Sequence, residues 1–240
     1  GLPAGLWQTI APFDLDGDGD MDYLLGNWGA NSKFTASAGS PLRMYFDDFD
    51  ANGSTETVLA TAKNGTYYPL VGLDDLGSQM VMLRRKYPRY RDFAGKSVEQ
   101  IFDPAQLEEA SLREVTELRT GYLINDGNGY VYRPFPQNLQ VAPVMDFLSF
   151  DFDGDGNREV LAAGNYFGVK PYQGRFDSFP GALIKSENEI ILGNRTGLDL
   201  MNKSVRHLAV IHFNNQPYLL VVCNDAPAEV YQVINKSEKQ

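Results

Sequence analysis

Side-chain oxygens recur at alternate positions in three stretches of this chain. The first runs Asp14-Leu-Asp16-Gly-Asp18-Gly-Asp20-Met-Asp22. The second is Asp48-Phe-Asp50-Ala-Asn52-Gly-Ser54-Thr-Glu56, and the third Asp151-Phe-Asp153-Gly-Asp155-Gly-Asn157-Arg-Glu159. Counted from its first acid, each stretch has oxygen-bearing side chains at positions 1, 3, 5 and 9 and a glycine at position 6. Position 7 (Asp20, Ser54, Asn157) varies, as it would if only its backbone carbonyl were used. Several carboxylates on a flexible turn are a donor set for calcium, whereas magnesium demands stricter octahedral geometry and keeps more water. Softer metals would want His or Cys, and neither lies in these stretches. The competing reading is that Asp, Asn and Gly are simply building polar turns. It weighs more on the second stretch, where Asn52 leaves position 5 uncharged.

An EF-hand also begins with alternate acids and a glycine, but it needs a bidentate Glu at position 12 between two helices. Position 12 is Leu25, Leu59 or Ala162 here. The flanks read as strands instead: Leu6 to Phe13, Leu42 to Phe46 and Val144 to Phe150 lead in, and short apolar runs follow each loop. The elements that position the acids are therefore strand, acidic loop, strand, three times over.

The formal net charge is −10, from 31 acids and 21 Lys and Arg. Twelve of the acids fall inside the three stretches, and without them the remaining nineteen balance the bases to within two charges. The acidity is local, and charges packed this densely repel unless a cation is present. Nucleic acid as a partner is disfavoured, because phosphate wants a basic face. No apolar run approaches the length of a membrane helix. The chain opens Gly-Leu-Pro, without the regions of a signal peptide, and the missing Met fits a processed chain. The single cysteine, Cys223, lies in an apolar run and reads as a buried small hydrophobe.

Further hairpins are marked by Asn125-Asp-Gly-Asn-Gly129, and by Gly181-Ala-Leu-Ile paired with Ile190-Ile-Leu. Val205 to Phe213 and Tyr218 to Cys223 read as a fourth, degenerate copy in which Asn214-Asn-Gln replaces the acidic loop. One region, about 75–118, breaks the β pattern. Ser97-Val-Glu-Gln100 is a capping box, Asp103-Pro104 an N-cap with Pro at N1, and Leu107, Ala110, Leu112 and Val115 recur at helical spacing. This insert holds Arg84, Arg85, Lys86, Arg89 and Arg91 interleaved with Tyr87 and Tyr90. The cluster is either a solvated helix face or a docking site for an anionic glycan or an acidic partner.

The acidic pattern, followed by a short apolar strand and Gly26-Asn27 or Gly164-Asn165, resembles the VCBS or FG-GAP-like repeat. That repeat builds β-propeller blades similar to the calcium-bearing blades of integrin α subunits. Gly26-Asn-Trp-Gly-Ala-Asn-Ser-Lys-Phe34, Gly164-Asn-Tyr-Phe-Gly-Val-Lys-Pro171 and Gly174-Arg-Phe-Asp177 further resemble the C-terminal part of large bacterial exported proteins of ASPIC/UnbV type. The resemblance implies an all-β fold: a single propeller region over 1–240 with a small helical insert at about 75–118. Its units would be about 6–40, 41–140, 141–203 and 204–236, each metal loop joining the first two strands of a blade. The first and last units are short for complete blades, so the expectation is a fragment that the rest of a parent chain completes. It also implies two to three calcium ions and a secreted, periplasmic or cell-surface location. The Gly-Ala-Pro element of the repeat is reduced here to Gly181-Ala-Leu, so an integrin-like ligand surface is not carried over.

The function expected is a calcium-binding extracellular β-propeller module that acts as a binding or scaffold domain, with a glycan or surface protein as partner. The alternative is the frame of a carbohydrate-active enzyme of polysaccharide lyase or glycosidase type. The chain has no Gly-x-Ser-x-Gly elbow, no His-Glu-x-x-His and no phosphate loop. Its histidines, His207 and His212, lie five apart in a strand-like run. No residue is therefore assigned to catalysis. Trp7, Trp28, Tyr166 and Tyr172 are candidates for stacking on sugars, although core packing is the commoner use of such rings.

Overall fold

The computed structural model describes residues 2–170 and 173–234. Strands β1 (Thr9–Phe13) and β2 (Asp22–Gly26) flank the first acidic loop, and β3 (Leu42–Asp47) and β4 (Glu56–Lys63) the second. After β5 (Thr66–Pro69) come five short helices: α1 (Leu73–Gln79), α2 (Val81–Lys86), α3 (Tyr90–Phe93), α4 (Val98–Ile101) and α5 (Pro104–Glu109). The chain returns to strand in β6 (Ser111–Val115), β7 (Gly121–Asn125) and β8 (Tyr130–Pro134). β9 (Val144–Phe150) and β10 (Glu159–Gly164) flank the third loop. β11 (Ala182–Ile184), β12 (Ile190–Leu192), β13 (Val205–Phe213), β14 (Gln216–Cys223) and β15 (Glu229–Gln232) complete the described strands.

Among the described residues strand outweighs helix, and the strands form four antiparallel sheets, none closed into a barrel. The fold divides into two compact units. One is chiefly Leu6–Lys33 with Leu118–Gln240, and the other is Phe34–Glu117 with Pro3–Gly5.

The first unit contains three sheets, ordered β1-β2-β7-β8, β9-β10-β11-β12 and β13-β14-β15. β10 is buried along its whole length. Its alternate residues explain why: Val160 and Ala162 face a cluster with Leu24, Tyr122 and Ile124 of the first sheet, while Leu161 and Ala163 face Leu208, Leu219 and Val221 of the third. The middle sheet is thus covered on both faces, and an isolated alternation of polar and apolar residues is absent from it. Gly164 ends β10 at a close approach, since a Cβ there would lie 1.9 Å from the Pro143 carbonyl oxygen. The β13–β14 hairpin turns on Asn214 and Asn215, both at positive φ (51° and 62°), as a two-residue hairpin requires. The expected pairings of β7 with β8 and of β11 with β12 are also formed.

The strands sort into sheets differently from the expected units. β7 and β8, placed in a unit of 41–140, pair instead with β2: Tyr23 lies opposite Leu123, Leu24 opposite Tyr122 and Leu25 opposite Gly121. The 6–40 stretch is short for a blade because its other two strands lie nearly a hundred residues downstream. What intervenes is a compact unit with its own sheet, ordered β5-β4-β3-β6, and its own core. That core joins Tyr45, Phe49 and Val58 to Leu76, Met80, Leu83, Val98, Ile101 and Phe102. Helices this short are marginal by themselves, so these buried side chains are what hold them.

The helical segment is also shorter than expected. Ser97 does form a capping box with Gln100, and Asp103 caps α5 with Pro104 at its first turn. The helix stops at Ala110, which is extended (φ −62°, ψ 142°), and Leu112 and Val115 lie in β6 opposite Tyr45 and Leu42. A spacing shared by helix and strand was resolved by the free edge of β3.

Candidate metal centres

All three acidic loops join antiparallel neighbours in one register. The residue before position 1 faces position 9: Phe13 opposite Asp22, Asp47 opposite Glu56, and Phe150 opposite Glu159. Each loop is therefore an eight-residue excursion closed by a strand pair, and its internal hydrogen bonds repeat. The position 9 carboxylate accepts from the N–H of position 2: Leu15 to Asp22 and Phe49 to Glu56 at 2.9 Å, and Phe152 to Glu159 at 2.9 Å. The position 1 carboxylate accepts from the glycine at position 6 with its second oxygen: Gly19 to Asp14, Gly53 to Asp48 and Gly156 to Asp151. The position 5 side chain accepts from the N–H of position 7: Asp20 to Asp18, Ser54 to Asn52 and Asn157 to Asp155.

Two backbone positions in each loop are left-handed. Position 6 is glycine throughout, at φ between 85° and 93°. Position 4 is Gly17 (80°) and Gly154 (74°) but Ala51 (57°) in the second loop. An L side chain is strained there by about 1–2 kcal/mol. The glycines at position 4 are a signal that the reading of position 6 alone passed over.

The carboxylates converge, but not identically. In the first loop Asp14, Asp16 and Asp18 bring ligand oxygens within 4.8 Å of one another, and all three are exposed. Asp22 does not join them. It is fully buried, and its oxygens take the N–H groups of Leu15 and, at 2.8 Å, Asn125. Asp20 lends its N–H to Asp18 and is not among the converging acids. In the second loop the trio is Asp48, Asp50 and Glu56, and in the third Asp151, Asp153 and Glu159, each with its Glu buried. Glu is one methylene longer than Asp, which is how position 9 reaches the cluster there. Asn52 Nδ2 faces Glu56 Oε1 at 3.5 Å, Ser54 supplies its N–H to Asn52, and Asp155 and Asn157 stand outside the trio.

Two oxygens bound to one calcium at about 2.3–2.6 Å lie no more than about 5.2 Å apart. A 4.8 Å span meets that limit. The donor chemistry fits as well, being carboxylate oxygen only. Burial pushes the Glu56 carboxyl above its ordinary range, the charges of Asp50 and Asp48 add to the rise, and the Phe49 N–H opposes it. Burial likewise raises Glu159.

Sequence reading missed one participant altogether. Lys185, just beyond β11, places Nζ 2.7 Å from Asp153 Oδ2 and 3.8 Å from Glu159 Oε1. Its only sequence trace is strand pairing: Val160 lies opposite Ile184, so the next residue falls beside Glu159.

The other candidates are mostly absorbed by packing. Trp28 packs tilted against Tyr166 and edge to face with Phe176 at the edge of the first unit's core, and Trp7 meets Tyr132 edge to face. Tyr172 lies outside the described residues. In the helical segment Arg84 pairs with Asp74 at 3.1 Å, and Arg89 and Arg91 lie near Asp92. Lys86 donates to the Ile101 carbonyl, and Tyr87 is buried with its hydroxyl on the Gln100 carbonyl. His207 and His212 are both exposed, and His207 Nδ1 sits 2.7 Å from Asp146. An open polar depression of about 360 Å³, lined by Asn31, Ser32, Lys33, Gln173, Gly174, Arg175 and Phe176, contains no carboxylate. No family model, curated protein or solved structure matches this chain.

Proposed function

We propose that this chain is a calcium-binding module built on propeller-like blades, in which each acidic loop clamps a pair of strands around one ion. The observation that carries the reading is Asp50. Its Oδ1 is buried with no hydrogen-bond partner, beside Asp48 and Glu56. A buried carboxylate oxygen without a donor is costly, and a cation among three acids supplies what is missing. The register shared by all three loops supports the same reading for each.

Support for the propeller-like architecture comes from the first unit, where three short antiparallel sheets bury their faces on one another in sequence order. Blades of this kind stack in the same way. The second unit carries the same strand, acidic loop and strand on a sheet of its own. A calcium-stiffened frame of this type suits a binding or scaffold role outside the cell, with a glycan or a surface protein as partner.

The test is a pair of thermal melts, in millimolar calcium and in chelator, on the native chain and on Asp50→Asn. Calcium raises the native midpoint by several degrees, because a ligand that binds only the folded state adds about 2.7 kcal/mol at a hundredfold excess over Kd. Asp50→Asn gives up part of that rise. Superimposable native melts in the two buffers reject the function.

A further inference from the structure

We propose that Lys185 is a tethered cation for the third loop, holding its acids together without metal and making it the last of the three to fill. The proposal rests on the calcium reading above and deepens it by ranking the sites. Asp153 and Glu159 belong to the converging trio of this loop, and the Lys185 ammonium contacts both. All three groups are sheltered: their side chains are 24%, 19% and 3% exposed for Lys185, Asp153 and Glu159. A sheltered ion pair is screened less by water and salt than a surface one.

The first two loops lack this device. In the first sheet the equivalent register place is apolar: Tyr23 lies opposite Leu123, which puts Ile124 where Lys185 stands. Among the described residues no basic side chain pairs with Asp14, Asp16, Asp18, Asp48, Asp50 or Glu56. A divalent ion entering those loops has no ammonium to displace. In the third it must displace an ammonium already hydrogen-bonded to Asp153 and ion-paired with Glu159, and the lost pairing is subtracted from the metal's affinity.

Calcium binding to the chelator-stripped chain, followed by equilibrium dialysis, tests the ranking. The native chain is expected to show two tighter sites and one weaker site. Lys185→Met keeps the aliphatic stem, removes the charge, and is expected to tighten the weak site roughly tenfold, the step that each 1.4 kcal/mol of binding makes. Melts supply a second readout: Lys185→Met lowers the midpoint in chelator, where the trio loses its counter-charge, and calcium restores it. A weak site that is unchanged in Lys185→Met while two tight sites remain overturns the role of Lys185 and leaves the calcium reading standing. A midpoint lowered equally with and without calcium also overturns it, since that marks a packing role. Absence of bound calcium in both chains overturns both proposals.

Discussion

The backbone N–H of Asn125 donates to Asp22 Oδ1 at 2.8 Å across 103 residues of chain. The other oxygen of the same carboxylate takes the Leu15 N–H at 2.9 Å. Asp22 thus closes the first acidic loop and fastens β2 to the end of β7, with both oxygens engaged by backbone donors. Its position in the motif matches that of Glu56 and Glu159, yet its work is structural. Asp22→Ala should cost about 2–4 kcal/mol, because two donors at a buried site lose a charged acceptor. Urea unfolding checks this, and the loss should be equal in calcium and in chelator. A loss confined to calcium would make Asp22 a ligand after all.

Ala51 is the one non-glycine residue among the left-handed positions 4 and 6 of the three loops. Ala51→Gly should stabilise the chain by about 1 kcal/mol, since the relieved strain of about 1–2 kcal/mol exceeds the added backbone entropy of the unfolded state. A thermal melt reads the sign directly. Destabilisation would mean that the loop relaxes around alanine at no cost.

Asn165 is fully buried at φ 74° and satisfies four backbone groups. Its Nδ2 donates to the carbonyls of Phe179 at 2.9 Å and of Leu200 and Lys203 at 3.1 Å, while Oδ1 accepts the Phe179 N–H at 2.9 Å. Asn165→Asp is nearly isosteric but turns three donations into carbonyl–carboxylate repulsion. It should cost about 3 kcal/mol or more, in line with stranding a buried charge. The exposed Asn188→Asp serves as the control and should change stability by less than about 0.5 kcal/mol. Similar melts for the two variants would contradict the network.

The local grammar of this fold was legible in the sequence, and its long-range pairing was not. Alternate acids with glycine, flanked by β-prone runs, located all three strand-bounded loops, because turn chemistry and strand patterning are written within a dozen residues. The Asn214-Asn215 hairpin and the Ser97 and Asp103 caps were readable for the same reason. The partnership of β2 with β7 was hidden because a complete unit with its own core separates them. Leu112 and Val115 fit a helix as well as a strand by spacing alone, and only the edge of β3 decides between them. Lys185 was invisible for a related reason: its contact with Asp153 and Glu159 depends on the register of β10 with β11. Asp22 was legible as an acid of the motif, but its hydrogen bond to Asn125 required the distant strand.

Calorimetric titration of the chelator-stripped chain with calcium tests the central claim most directly. The account predicts saturable heat corresponding to three calcium ions per chain, two taken up before the third, with magnesium binding far more weakly because the loops offer flexible oxygen clusters and not an octahedral cage. Heat indistinguishable from dilution, at protein and calcium concentrations that saturate ordinary extracellular calcium modules, would contradict it.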